Sequence, residues 1–219
     1  MYPGKESSRL VCVTQRMACQ GDFLKRLEAI LSCRPAGLVL REKDLSLSEY
    51  LELAARVQAL CSFYEIPLAL TALGDNAWLH PDFLAFLSAY GCGIQLPFAL
   101  RKQGEEQNLT FGLSVHSREE AALSADSQAF ALIAGHIYPT ACKPGLPPKG
   151  PDFLRETVNA AQKPVFAIGG ITPQRVPEIL ETGAAGYCVM NPLMTCPDPI
   201  LLMEAYRLQE EGRAGTERK

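Results

Sequence analysis

Short apolar, β-branched runs alternate along this chain with longer stretches whose apolar residues recur at helical spacing. Leu10-Val11-Cys12-Val13-Thr14 predicts a first strand, and Asp22 to Leu31 a helix with Phe23, Leu24, Leu27, Ile30 and Leu31 on one face. Gly37 to Leu40 predicts the second strand. Leu45 to Phe63 is the clearest helix, with Ser46 or Ser48 as its cap. Ile66 to Thr71 predicts a third strand with Pro67 near its start, where proline is tolerated. Pro81 to Tyr90 predicts a short helix, Gly93 to Leu96 a fourth strand and Leu109 to Val115 a fifth. Ser117-Arg118-Glu119-Glu120 then reads as a capping box. Ala129 to Ala134, Pro164 to Ile168 and Tyr187 to Met190 predict strands six to eight. Helices are predicted over Phe153 to Ala161, from Thr172-Pro173 to Gly183, and over Pro199 to Glu211.

Eight strands, each followed by helix or loop, favour a parallel sheet with crossover helices. Eight is also the number that closes a (β/α)₈ TIM barrel. The expected organisation is a polar segment over residues 1–9, a single barrel domain over 10–211 and a polar tail over 212–219. An open doubly wound sheet is the alternative. No Gly-x-Gly-x-x-Gly follows the first strand, which weakens a dinucleotide reading.

Composition narrows the function classes. The chain has 219 residues, 47% apolar and 21% charged, with a formal charge of −3. That balance is ordinary for a globular protein and carries no basic footprint for nucleic acid. No apolar run reaches the length of a membrane span, and residues 1–9 lack the apolar core of a signal peptide. The expectation is a cytoplasmic protein with no nucleic-acid or membrane partner; a homo-oligomer is compatible with the chain. Eight cysteines are present, but no pair is spaced Cys-x-x-Cys, so most read as structural thiols, with Cys12 and Cys188 buried inside apolar runs. Cys142, in a Gly/Pro-rich loop, is set apart.

In such a barrel the chemistry stands at the C-terminal strand ends. The seventh end runs Ile168-Gly169-Gly170-Ile171-Thr172-Pro173 into a helix. Glycines let backbone N–H groups approach an anion, and a helix N-terminus adds a favourable dipole, so Gly169 and Gly170 are candidates for a phosphate. A simple tight turn is the bland alternative. At the eighth end Asn191 can donate, whereas Pro192 has no N–H. The sixth end opens a loop from Gly135 to Gly150, rich in Gly, Pro and Lys. His136 at its root is a candidate general acid/base, or else a hydrogen-bonded strand-end histidine. Lys143 and Lys149 could draw in an anion, or simply be solvated. Arg41 and Lys43, two residues apart, point the same way in an extended segment. They form either a cationic pair facing a cleft or part of a surface charge run. His116 lies beside the predicted capping box, where a structural role weighs at least as much as a functional one. His80 reads as structural.

Taken in order, these segments resemble the thiamine phosphate synthase/TenI superfamily from about Leu10 to Tyr206. The resemblance rests on Leu38 to Asp44, Gly112 to Ser117, the loop from Gly135 to Gly150, and Val165 to Met190 with its Gly169-Gly170. It implies a (β/α)₈ barrel that takes a thiazole or pyrimidine phosphate at the strand mouths. The synthase branch joins a pyrimidine diphosphate to a thiazole phosphate and needs Mg²⁺. That branch has Gln at the position of Val39, Asn-Asp at Thr71-Ala72, and a His-x-Gly-Gln-x-Asp segment where this chain has Gln95-Leu96-Pro97-Phe98.

The thiazole tautomerase branch aromatises a carboxythiazole phosphate by moving a proton. It is similar at Gln95-Leu96-Pro97, at Ser114 to Ser117, and above all at Gly135-His136, where the synthase has Gly-Pro. The resemblance implies that His136 shuttles the proton without a metal or other cofactor. It implies that Gly169, Gly170, Asn191, Arg41, Lys43, Gln95, Ser114 and Lys143 bind a small phosphorylated thiazole. Pro192 and Ala141 depart from the family pattern, which has a small residue and often Asp there. Thiamine phosphate synthase, or a non-catalytic thiazole-phosphate-binding or regulatory homologue, is the alternative.

Overall fold

The computed structural model describes residues 8–74 and 76–214. Most of the polar segment 1–9, and residues 215–219 of the tail, lie outside the described residues. Eight parallel strands close into a barrel in chain order: β1 (Leu10–Val13), β2 (Gly37–Leu40), β3 (Leu68–Thr71), β4 (Gly93–Pro97), β5 (Phe111–Val115), β6 (Leu132–Gly135), β7 (Val165–Ile168) and β8 (Gly186–Val189). The helices are α1 (Phe23–Ser32), α2 (Leu47–Phe63), α3 (Pro81–Tyr90), α4 (Arg101–Glu106), α5 (Arg118–Leu123), α6 (Gly150–Ala161), α7 (Val176–Glu181), α8 (Asn191–Thr195) and α9 (Pro199–Ala214). The expected single-domain (β/α)₈ barrel is the fold observed.

Most strands are apolar on both faces, which is why they read as continuous runs rather than alternations; β4 and β5 instead turn Gln95 and Ser114 inward. Successive residues divide between two cores. Leu10, Cys12, Leu38, Leu40, Leu113 and Leu132 face outward against the helices. Val11, Val13, Val39, Ala69, Ile133, Phe166 and Cys188 fill the barrel interior. A one-residue slip in any strand would exchange the two sets.

Several boundaries moved for local reasons. β3 starts after Pro67, whose ring nitrogen cannot join the ladder. β5 starts at Phe111 because Asn108 takes a positive φ and the Leu109 N–H turns back to Gly104 O at 3.1 Å. β6 runs from Leu132 to Gly135, later than the Ala129 start predicted. α9 extends to Ala214, into the stretch expected as tail. Two helices escaped the pattern. Gly104 interrupts the apolar spacing of α4, yet a Cβ there would meet Leu96 Cδ1 at 2.7 Å, so glycine lets α4 lie on β4. α8 begins at the Asn191-Pro192 pair read as loop, with proline in the first turn, where its missing N–H costs nothing.

Most caps match their sequence signals; at α5 Ser117 accepts from the Glu120 N–H, but the Glu120 carboxylate takes the His116 N–H instead of closing the expected box. Ser46 and Glu49 form a reciprocal capping box on α2, and Asp22 caps α1. His80 caps α3, accepting from the Asp82 N–H at 3.3 Å, in line with its structural reading.

The ends of β2 and β3 are joined by one buried phenol. Tyr50 donates to Leu40 O at 2.7 Å and accepts from the Thr71 N–H at 3.1 Å. Tyr50→Phe leaves both backbone groups unpaired in a dry setting. Urea denaturation is expected to show a loss of about 2 kcal/mol.

Candidate active site

A cavity of about 570 Å³ opens at the C-terminal ends of the strands. Its wall includes every residue that the resemblance assigns to the site: His136, Gly169, Gly170 and Asn191 on one side, Arg41, Lys43, Gln95 and Ser114 on the other, and Lys143 from the long loop.

At the end of β2 successive side chains alternate. Arg41 and Lys43 line the cavity, while Glu42 is not part of its wall and is 2% exposed. Glu42 accepts from Thr14 Oγ1 at 2.6 Å and from the Arg16 N–H at 2.8 and 2.9 Å. Thr14 Oγ1 accepts in turn from the Arg41 N–H at 2.9 Å. Burial pushes the Glu42 carboxyl up, against the lowering effect of these bonds. Asp44 is engaged by Arg16. The acids are thus tied away and the two cations are left facing the cavity. Desolvation and the neighbouring Arg41 charge hold the Lys43 ammonium below its ordinary range.

Strands β3 to β5 contribute uncharged polar groups. Gln95 Nε2 donates to Ser114 Oγ at 3.1 Å. Gln95 Oε1 and Thr71 Oγ1 are buried with no hydrogen-bond partner in the protein.

The opposite wall is built by β6 and β7. A Cβ on Gly135 would meet Ile168 Cγ2 and Ile168 O at 2.5 Å, and one on Gly169 would run into His136 Cβ. Gly169 and Gly170 have φ values of +104° and +65°, a region that disfavours a side chain. The loop after β6 is laced to this turn by the Ile137 N–H on Ile168 O at 2.9 Å and the Tyr138 N–H on Gly169 O at 3.0 Å. His136, joined to Gly135 by a cis peptide bond, is 5% exposed. Its Nε2 lies 3.4 Å from Leu146 O. Donation there leaves the lone pair on Nδ1.

Three departures from expectation stand out. The helix after Gly169-Gly170 is not continuous: a 3₁₀ turn, Pro173–Arg175, precedes the six-residue α7. Little dipole therefore reaches the turn, because so few peptide units align. Lys149 does not face the cavity. Its Nζ donates to His116 O at 2.7 Å and sits over the Phe153 ring, while its N–H closes the loop onto His136 O at 3.0 Å. Cys188, expected as a plain core thiol, also lines the cavity, as does the exposed Cys142.

Sequence reasoning left two basic wall residues off the site. His116 has the structural role weighed for it, with Glu120 accepting from its N–H, and its ring Nδ1 lies 3.0 Å from Gly135 O in the cavity wall. Arg175 also lines the cavity, and only its place in the first turn after the double glycine could have marked it.

The resemblance implies Mg²⁺ in the synthase branch, and the residues present do not fit it. Mg²⁺ takes hard oxygen ligands, carboxylates above all. The cavity wall holds no Asp or Glu. Among the described residues no group of three His, Cys, Asp or Glu could hold a metal ion.

Comparisons with known proteins agree on the family. The family described as thiamine monophosphate synthase matches residues 10–193. A thiamine-phosphate synthase of Acidothermus cellulolyticus is 32% identical over 191 residues, covering 86% of this chain and 88% of that one. A putative thiamine-phosphate synthase of Geobacter sulfurreducens is 32% identical over 197 residues, covering 87% and 88%. Among solved structures, a thiamine phosphate pyrophosphorylase from Pyrococcus furiosus superposes with a TM-score of 0.76 at 24% identity, covering 93% of this chain and 95% of that one. At that identity the likeness speaks to the fold alone.

The packing at the glycine turn yields a direct test. Gly169→Ala is expected to cost about 2 kcal/mol or more, read as a lower Tm, from strain plus the collision with His136. Gly145→Ala is the comparison: its φ is +76° but open space surrounds it. That change should cost only about 1 kcal/mol.

Proposed function

We propose, from the premise that this chain belongs to the thiamine monophosphate synthase family, that it is an isomerase acting on a phosphorylated thiazole. The reaction is a metal-independent proton shift that aromatises a carboxythiazole phosphate. One observation carries this reading: a cavity lined by cations and a buried histidine, with no carboxylate in its wall.

A proton shift within one ring needs a single group that first accepts and then donates. Imidazole does both near neutral pH. Leu146 O would hold the Nε2–H of His136, so Nδ1 takes the ring proton and returns it at a second atom. His116, bonded to Gly135 O, would steady the backbone that carries this base. Gly169 and Gly170 would bind the phosphate through backbone N–H groups. Arg41 and Lys43 would face the carboxylate across the barrel, with Lys143 closing from the loop. Gln95 and Ser114 would meet the ring between them. A cytoplasmic location fits this chemistry, and no helix of the described residues is long and apolar enough to cross a membrane.

A second reading is favoured by a different observation. The relatives just described carry the name thiamine-phosphate synthase. That points to joining a pyrimidine diphosphate to a thiazole phosphate, which fits those names more directly than a proton shift does. The donor set weighs against it.

The two readings separate in one experiment. Carboxythiazole phosphate alone is expected to aromatise without added metal, and His136→Ala to slow this by about 10²- to 10⁴-fold. Equal rates for the two proteins would sink the role of His136. Thiamine phosphate formed from both substrates only when Mg²⁺ is added would establish the synthase instead.

Lys43 adds a pH signature. Its ammonium is held low in the free protein, and an anionic ligand would raise it again. Affinity for thiazole phosphate should therefore fall as pH rises through the lowered value. Calorimetric titration between roughly pH 7 and 10 should show that decline. Lys43→Arg should remove it, because a guanidinium stays charged throughout.

A further inference from the structure

We propose that Arg175 supplies the positive charge of the anion site at the Gly169-Gly170 turn, a role that no sequence motif assigned to it. The proposal rests on the reading of that turn as a phosphate site.

Four cations line the cavity: Arg41, Lys43, Lys143 and Arg175. Arg175 is the one bonded to the glycine turn itself, donating from Nη1 to Gly170 O. Its guanidinium lies over the Tyr138 ring, 4.3 Å from the centroid. The Tyr138 hydroxyl donates to Glu178 Oε2 at 2.5 Å, so the nearby carboxylate is engaged by the phenol. No ion pair among the described residues involves Arg175. A guanidinium has five N–H donors, and the Gly170 carbonyl occupies one. The planar group is fixed by the ring on one face and the carbonyl at one edge, so it is oriented before any ligand arrives.

The turn has a need for this charge. Pro192, after the neighbouring strand β8, contributes no N–H. The six-residue α7 behind its 3₁₀ turn brings little dipole. Backbone amides alone would leave a dianion poorly neutralised. A charge-assisted bond from Arg175 offsets both losses, and guanidinium is the group best shaped for a tetrahedral oxyanion.

The contact to Gly170 O also gives Arg175 a structural role, and the variants must separate the two. Arg175→Gln keeps an N–H donor for Gly170 O and removes the charge. Arg175→Lys keeps the charge and loses the planar fork. Arg155→Gln, in an exposed pair on α6, is the control. Each full-length ¹⁵N-labelled protein is titrated with inorganic phosphate, following the Gly169 and Gly170 amide resonances. Thermal melts report folding alongside.

Wild type and Arg155→Gln should bind alike. Arg175→Gln should bind at least about tenfold more weakly at unchanged Tm, and Arg175→Lys should recover part of that loss. Wild-type affinity in Arg175→Gln overturns the proposal, as does a wild-type turn that does not respond to phosphate. Loss in Lys and Gln alike would assign Arg175 to positioning and also overturn it. The assay measures binding without turnover. Absence of isomerase activity would therefore sink the reaction proposed above and leave this inference standing.

Discussion

No side-chain carbon fits between the mouths of β6 and β7. A Cβ at Gly135 would meet Ile168, one at Gly169 would enter His136, and one at Gly170 would strike the Pro139 carbonyl. The three glycines let two backbones touch, and everything on this wall depends on that contact. The loop after β6 borrows carbonyls of the β7 turn, and the turn takes its positive φ angles against that loop. Histidine and candidate anion site are therefore one packed unit rather than two loops that meet by chance. Interiors at this density do not deform gradually, so placement errors on this wall are small.

Charge is sorted with equal care around the mouth. Each acid near the cavity is committed elsewhere: Glu42 to Thr14 and the Arg16 amide, Asp44 to the Arg16 guanidinium, Glu120 to the His116 amide, and Glu178 to the Tyr138 phenol. The cations are not neutralised in this way. A chain whose formal charge is −3 thereby presents a positive cavity. Such a field concentrates anionic ligands and speeds their arrival. Net charge alone gave no hint of it, because sorting depends on which side chains the backbone turns inward.

The barrel was legible because its signal is repeated and local. Eight apolar runs separated by amphipathic stretches leave few alternatives, and caps such as Ser46 with Glu49 are written within four residues. The helices that escaped notice carry a glycine or a proline for a tertiary reason: Gly104 to approach β4, Pro192 to open α8. At the site, residues at strand ends could be named from alternation alone, as Arg41 and Lys43 show. The tasks of Lys149, His116 and Arg175 could not. Each is defined by a carbonyl that only the folded chain presents to it: His116 and Gly135 from well along the sequence, and Gly170 from the adjoining glycine turn. Propensity and period carry no trace of such a partner.

The loop that leaves the barrel at His136 also comes home there. The Lys149 N–H returns to His136 O and the Gly150 N–H to Ile137 O, so the segment is clasped at its base like a purse. Side chains between the clasp and the tip, including those of the exposed Cys142 and Leu146, can vary in character without disturbing it. Base and rim share one backbone contact, His136 Nε2 at 3.4 Å from Leu146 O, which does not depend on the side chain carried there. The same imidazole can thus serve under different rims, and descendants of this chain could change what enters the cavity while keeping the machinery inside it.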